Sequence, residues 1–144
     1  MVGMADRPVE MGDELWFYYG GWDETHEKSP RASSVGVATA QRDRLVAVEA
    51  KPGDHGRLLT RPLEVRGSLW VNAAARGSIR VSVHDVNDRP LRGWSEEDCT
   101  PFRGDLLDAE IQWGNRTLGD LHGQMVRLRF HFDDAKLFAF DLRQ

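Results

Sequence analysis

Residues 125–142 read Met-Val-Arg-Leu-Arg-Phe-His-Phe-Asp-Asp-Ala-Lys-Leu-Phe-Ala-Phe-Asp-Leu, and this stretch decides the fold class. Its first half alternates apolar residues with arginine and histidine, the period of two that is typical of a strand with one buried face. Asp133-Asp134-Ala135 interrupts the alternation and predicts a tight turn. The stretch therefore predicts a hairpin of two antiparallel strands.

The same alternation recurs along the chain between frequent turn residues. No window of about 11 residues or more keeps a helical period. Further strands are predicted at 14–19, 35–40, 45–49, 56–60, 63–65, 69–73, 78–84 and 109–113, with turns at 20–21, 51–54, 76–77, 87–90 and 114–115. Single helical turns are predicted at 95–98 and 117–123. Many short strands separated by turns indicate an all-β antiparallel sandwich, jelly-roll-like, with about ten or eleven strands and little helix.

The composition limits the class of protein. A chain of 144 residues suits one domain, which we expect over residues 14–144 after a loose lead-in at 1–13. The net charge of −4 argues against non-specific binding to nucleic acid, which requires a basic surface. No apolar run approaches a membrane span, and the first residues lack the apolar core of a signal peptide. We therefore expect a soluble, cytoplasmic protein.

Residues that could bind metal or act as nucleophiles are scattered. The single cysteine, Cys99, excludes an intrachain disulfide and lies among acids that would raise the pKa of its thiol. The five histidines show no zinc-ligand spacing. The carboxylates cluster in predicted turns, where solvated side chains are common. We expect no catalytic residue, metal or cofactor, and only a structural Ca²⁺ stays open.

Two motifs resemble a known family. Residues 12–26 read Gly-Asp-Glu-Leu-Trp-Phe-Tyr-Tyr-Gly-Gly-Trp-Asp-Glu-Thr-His, and residues 93–105 read Gly-Trp-Ser-Glu-Glu-Asp-Cys-Thr-Pro-Phe-Arg-Gly-Asp. Together with residues 31–39, 111–113, 126–130 and 135–140, they resemble the C-terminal region of glycoside-hydrolase-like proteins of the five-bladed β-propeller clan that includes the invertase-type family. The resemblance covers residues 12–142. Where that family has Asp-Gly-Phe, this chain has Gln-Arg-Asp-Arg-Leu-Val at 41–46, so only Asp43 carries over.

The resemblance implies an accessory role without catalysis. It places the first motif in the closing strand of the last propeller blade, followed by a β-sandwich that packs on the propeller. The propeller and its catalytic carboxylates lie upstream of the matching region, so we expect no enzyme. The implied function is that of an accessory β-sandwich of a glycoside-hydrolase-like protein.

Loop aromatic residues predict carbohydrate association. Trp22 and Trp94 lie beside glycines, where exposed rings could stack on the C–H faces of a sugar. Asp23 and His26 follow Trp22, and the resemblance implies that this loop comes near a substrate pocket. The predicted sugar surface therefore comprises Trp22, Asp23, His26 and Trp94, with an oligosaccharide as partner.

The alternative is an interaction module with no sugar site. Residues 15–19 are apolar on both faces, the pattern of a strand buried on both sides. Trp16 and Tyr18 would then pack on another surface, and Trp70 would too because its neighbours Leu69 and Val71 face the core. The covering surface is the sandwich itself, a second copy of the chain or a ligand. The resemblance implies a missing propeller domain as a further partner, because the propeller covers this strand in that family. A small enzyme with an unrecognised site is a third hypothesis.

Overall fold

The computed structural model describes residues 2–25, 27–30 and 32–144, which form eleven β-strands and one short 3-10 helix. All strand pairs are antiparallel. The all-β antiparallel prediction, with about ten or eleven strands and little helix, is therefore confirmed. The elements are, in chain order, Val2–Met4 (β1), Val9–Met11 (β2), Glu14–Trp22 (β3), Ser33–Gln41 (β4), Val48–Leu59 (β5), Leu63–Glu64 (β6), Ser68–His84 (β7), Phe102–Glu110 (β8), Gln112–Trp113 (β9), Arg116–Thr117 (β10), the 3-10 helix Leu118–Leu121 and Met125–Arg143 (β11).

The chain divides into two compact units, Met1–Leu45 and Val46–Gln144. In the N-terminal unit, β3 is the central strand: β1 and β2 pair with successive parts of one edge, and β4 pairs with the other. Met11 pairs with Glu14, so Gly12 and Asp13 form a two-residue turn, in which Gly12 has a φ of 63°. The lead-in expected at 1–13 thus contributes both short strands to this sheet.

The C-terminal unit is built on one curled sheet with the strand order β5-β11-β7-β8. β6 pairs with the start of β11, and β9 and β10 form the hairpin predicted at 114–115. The apolar residues of the alternating stretches face inward, as their period predicts. The largest fully buried side chains are Val65, Leu69, Val71, Ile79, Val81, Val83, Ile111, Trp113, Leu118, Val126, Leu128 and Phe130.

The hairpin predicted at Asp133-Asp134-Ala135 is wrong, because β11 runs through it as one strand of 19 residues. The pairing with both neighbours shifts register between Asp133 and Ala135, and Asp134 has a φ of 40°. Such a bulge bends a strand without reversing it. Both halves of β11 keep the same two neighbours, so the chain does not turn back.

Two further predicted turns are bulges at the same level of the sheet. In β5, residues 51–54 lie between Ala50 and His55, which pair with Ala135 and Asp133 of β11. In β7, on the other side of β11, residues 76–77 lie between the residues that pair with the same two positions. A Cβ at Gly77 would lie 2.2 Å from the Asp133 carbonyl oxygen, so only glycine allows this approach. Three adjacent strands therefore bend along one line, which curls the sheet.

Among the described residues, no helix is long and apolar enough to cross a membrane.

The core assignment predicts unequal costs for two leucine truncations. Leu128→Ala should lower the free energy of unfolding by about 2–5 kcal/mol, because its side chain is 0% exposed and leaves a cavity. Leu106→Ala should cost about 1 kcal/mol or less, because Leu106 is 52% exposed. Urea unfolding followed by tryptophan fluorescence measures both, and equal losses would contradict the assigned core.

Candidate functional site

The predicted sugar-surface residues of the N-terminal unit lie at the end of β3 and just beyond it. The Trp22 side chain is half-buried, and its ring lies against Gly20 and Gly3, 3.3 and 3.6 Å from where their Cβ atoms would stand. Asp23 is exposed, and its Oδ1 accepts a hydrogen bond of 3.0 Å from the Ala32 amide. This bond helps to close the connection between β3 and β4. His26, the fourth predicted residue, lies outside the described residues.

The expectation that Trp94 exposes its ring is wrong. Its side chain is 5% exposed and packs at a tilt on Trp113, with ring centroids 5.0 Å apart. The Arg116 guanidinium also packs over the Trp94 ring and lies 4.8 Å from its centre. The Trp94 carbonyl also accepts a 2.9 Å hydrogen bond from the Val83 amide. Trp94 therefore belongs to the core of the C-terminal unit.

The interface candidates Trp16 and Tyr18 lie on one face of β3, with ring centroids 6.4 Å apart. Trp16 pairs with Val9 and Thr39, and Tyr18 pairs with Val37. Directly paired residues share a face of a sheet. We call this surface the apolar face and define it by Val9, Met11, Trp16, Tyr18, Val35 and Val37.

The apolar face is nearly free of charge and largely open to solvent. Five of its six residues are exposed, Val35 most of all at 82%. Glu14 is the one charged strand residue on this side of the described sheet, and its Oε2 accepts a 3.0 Å hydrogen bond from Trp16 Nε1. The polar group of the indole is therefore paired locally, and its carbon rings stay available for apolar contact.

Trp70 lies in β7 of the C-terminal unit. Leu69 and Val71 are buried on either side of it, so Trp70 points away from the core, as its position in the alternation predicts. The Arg143 guanidinium lies 5.8 Å from the centre of its ring and helps to cover it. Trp70 is half-buried as a result.

The sequence analysis missed a polar cluster on the outer side of the curled sheet. We call it the imidazole–serine cluster: Ser82, His84, Asp88, Glu96 and His131. Ser82 Oγ lies 3.0 Å from His84 Nε2 and 2.9 Å from His131 Nε2. His131 Nδ1 lies 2.9 Å from a Glu96 carboxylate oxygen, and His84 Nδ1 lies 3.1 Å from one of Asp88. The five residues thus form one continuous polar chain, in which His84 Nδ1 also lies 3.2 Å from the main-chain carbonyl oxygen of Asp88.

The proton count of this cluster follows from its geometry. Each Nδ1 faces a carboxylate, so both Nδ1 atoms carry a proton and donate it. Both Nε2 atoms face the Ser82 hydroxyl, which has one proton to donate. One Nε2 accepts this proton, and the other faces the hydroxyl oxygen.

His131 is held as a neutral imidazole. Burial lowers the pKa of His131, and the neighbouring Arg57, Arg129 and His84 lower it further against the opposing effect of Glu96. With its Nδ1 proton directed at Glu96, His131 accepts the Ser82 hydroxyl proton at Nε2.

The cluster has the hydrogen-bond order of an activated serine but not its accessibility. Ser82 donates to His131, which donates to Glu96, as in a nucleophile–base–acid triad. A cavity of about 250 Å³ opens beside His131 and Glu96, yet Ser82 is buried and does not line it. The cluster therefore joins β7 and β11 to the 85–101 loop without presenting a nucleophile to the cavity.

A larger cleft of about 670 Å³ lies over the bend of the curled sheet. Small residues such as Ala74 and Ala75 line it together with charged side chains, among which Lys136 and Glu49 pair at 3.6 Å. No aromatic side chain lines it. The cleft thus lacks the stacking platform that the predicted sugar surface requires.

Cys99 is buried, and burial raises the pKa of its thiol to about 11. Its Sγ accepts a 3.2 Å hydrogen bond from the Val81 amide. Within residues 2–25, 27–30 and 32–144, no group of three or more His, Cys, Asp or Glu side chains is arranged to hold a metal ion.

Comparison with known proteins gives no match: no family model, no curated protein and no solved structure is significantly similar to this chain. The fold defines an all-β antiparallel protein, and the resemblance to glycoside-hydrolase-like proteins stays a prediction.

The lowered pKa of His131 predicts a loss of stability in mild acid. The unfolded chain takes up this proton near the ordinary value of 6.5, whereas the folded chain takes it up only at lower pH. The contribution of His131 is therefore complete above about pH 6.5 and is lost as the pH falls further. The free energy of unfolding should decrease between about pH 7.5 and about pH 5.5.

Two variants isolate that contribution. His131→Gln cannot titrate, so its free energy of unfolding should decrease less over the same interval. His122→Gln removes an exposed histidine and should keep the wild-type pH profile. If His131→Gln and the wild type showed the same pH profile, the assignment of a neutral His131 would be incorrect.

Proposed function

We propose that this chain is a non-catalytic accessory β-module of a glycoside-hydrolase-like protein, and that its N-terminal sheet joins it to a second copy of itself. The observation that carries the proposal is the apolar face, an exposed and almost uncharged surface on a single small sheet. Contiguous exposed apolar patches on proteins commonly mark interaction sites.

The charge distribution favours a second copy as the partner. On the side of the apolar face the described strands carry one carboxylate, Glu14, which is hydrogen-bonded to Trp16. A complementary surface must therefore be apolar and nearly uncharged. The same surface of a second copy has this chemistry, and a two-fold axis can set the two surfaces face to face or side by side in one sheet.

The C-terminal unit supports an accessory role for the chain. Two potential nucleophiles of this unit are buried: Ser82 lies between two imidazoles, and burial raises the pKa of the Cys99 thiol. Neither is presented as a nucleophile. The resemblance to the region that follows a propeller agrees with an accessory part.

Self-association predicts a concentration-dependent dimer in sedimentation velocity. Val37 lies on the apolar face and is 44% exposed, so Val37→Glu would place a charge in the contact. A buried unpaired charge is costly, and we expect the dissociation constant to rise by about tenfold or more.

A matched variant controls for surface charge. Val86 is also 44% exposed but lies in the loop after β7, so Val86→Glu should dimerise like the wild type. Circular dichroism checks that both variants keep their β-sheet content. A wild-type chain that stays monomeric at millimolar concentration would refute the proposal.

Carbohydrate association stays a prediction, now limited to Trp22 and Asp23 among the described residues. If it holds, tryptophan fluorescence should shift when oligosaccharides are added, and Trp22→Ala should abolish the shift. Trp94→Ala is not a test of sugar binding, because Trp94 is a core residue whose truncation costs about 3–5 kcal/mol. A broad glycan array without a signal would exclude this prediction.

A further inference from the structure

Strand β4 has one unpaired edge. It pairs with β3 along all nine of its residues, and no strand among residues 2–25, 27–30 and 32–144 pairs with its other side. Seven of the nine residues are exposed, and the other two, Gly36 and Ala40, are half-buried. The free edge is therefore open to solvent along the strand.

The sequence of β4 has none of the usual protection against strand pairing. Ser33–Gln41 reads Ser-Ser-Val-Gly-Val-Ala-Thr-Ala-Gln, with no charged residue and no proline. Soluble proteins commonly protect long edge strands with charges, proline or bulges, because an open edge is a template for another strand. The pairing of β4 with β3 also continues without a bulge.

The other edge strands of this chain do carry such protection. β5, at one edge of the curled sheet, contains Glu49, Lys51 and Pro52 together with further charges. β8, at the opposite edge, contains charged residues such as Arg103 and Asp108. The β1–β2 edge of the N-terminal sheet is divided into two strands of three residues. β4 is thus the exception among the described edges.

We propose that β4 pairs antiparallel with β4 of a second copy, centred on Val37, and so forms one continuous sheet through two N-terminal units. This inference rests on the proposed self-association and specifies its geometry. The new ladder pairs backbone N–H and C=O groups that are otherwise open on both edges. The addition of a strand to an open sheet edge is a recurrent mode of protein recognition.

The register follows from the symmetry of the strand. Val37 is the central residue of β4, so a two-fold axis at this point sets Val37 against Val37 and Val35 against Thr39. All three residues lie on the same side of the sheet as Trp16 and Tyr18. Cross-strand pairs of β-branched residues stabilise a sheet by about 0.2–1 kcal/mol each.

The opposite side of β4 raises no steric obstacle. It carries the small residues Ser34, Gly36, Ala38 and Ala40, which face one another in the proposed pairing. The Tyr19 ring covers Gly36 within one copy, 2.5 Å from where a Cβ would stand. Glycine at this position therefore lets the neighbouring aromatic side chain fold over the strand.

Cysteine cross-linking tests the register directly. Opposed residues in an antiparallel pair have Cα atoms about 4.5–5.5 Å apart, within the range of a disulfide. Val37→Cys should therefore form an intermolecular disulfide under mild oxidation. Two copies of Val35 would stand four residues apart, about 13 Å, which is too far for a disulfide.

We expect Val37→Cys to cross-link about tenfold faster or more than Val35→Cys, with non-reducing electrophoresis as the readout. The double variant Val35→Cys/Thr39→Cys should cross-link again, because it restores opposed cysteines. The wild type gives the background, since its single cysteine, Cys99, is buried.

Tyr18→Glu separates strand pairing from face-to-face packing. Tyr18 is on the central strand, one strand away from the β4 edge, so this variant should still dimerise by sedimentation. Loss of the dimer in Tyr18→Glu would refute strand pairing, as would equal cross-linking of Val37→Cys and Val35→Cys. In either case a wild-type dimer would still support the proposed function, whereas a monomeric wild type would refute both.

Discussion

The pairing of β11 along both of its edges is the constraint on which the C-terminal unit depends. Nineteen residues of one strand hold β5 on one side and β7 on the other, across a shared line of bulges. Gly77 makes the bulge in β7 possible, because its missing Cβ leaves room for the Asp133 carbonyl of β11. The bend turns what would be a flat sheet into a curled one that encloses its own core.

The same pairing assembles the imidazole–serine cluster. It sets His131 beside Arg80 on the outer face of β7, two residues from Ser82. The 85–101 loop then supplies Asp88 and Glu96, one carboxylate for each imidazole. A buried polar chain of this kind is stable only when each group is paired. Electrostatics thus links the position of the loop, through Glu96, to the protonation of His131.

The N-terminal unit differs from the curled sheet, because one small sheet cannot bury two apolar faces by itself. Aromatic residues on both faces of β3 remain half-buried or exposed, and β4 offers an open edge without charges. A second copy paired along β4 would satisfy the open edge and would set the two apolar faces side by side in one sheet. The exposed aromatic residues predict association, and the open edge predicts the direction from which the partner strand arrives.

Alternation by itself determined the all-β class, the inward positions of β7 and β11, and the outward position of Trp70, since strand periodicity is local. It could not distinguish a turn from a bulge at Asp133-Asp134-Ala135, because that depends on whether the neighbouring strands continue. The burial of Trp94 and the meeting of Ser82, His84 and His131 were decided only by tertiary structure. Both require the register between β7 and β11 and the path of the 85–101 loop, which bring together residues up to 49 positions apart.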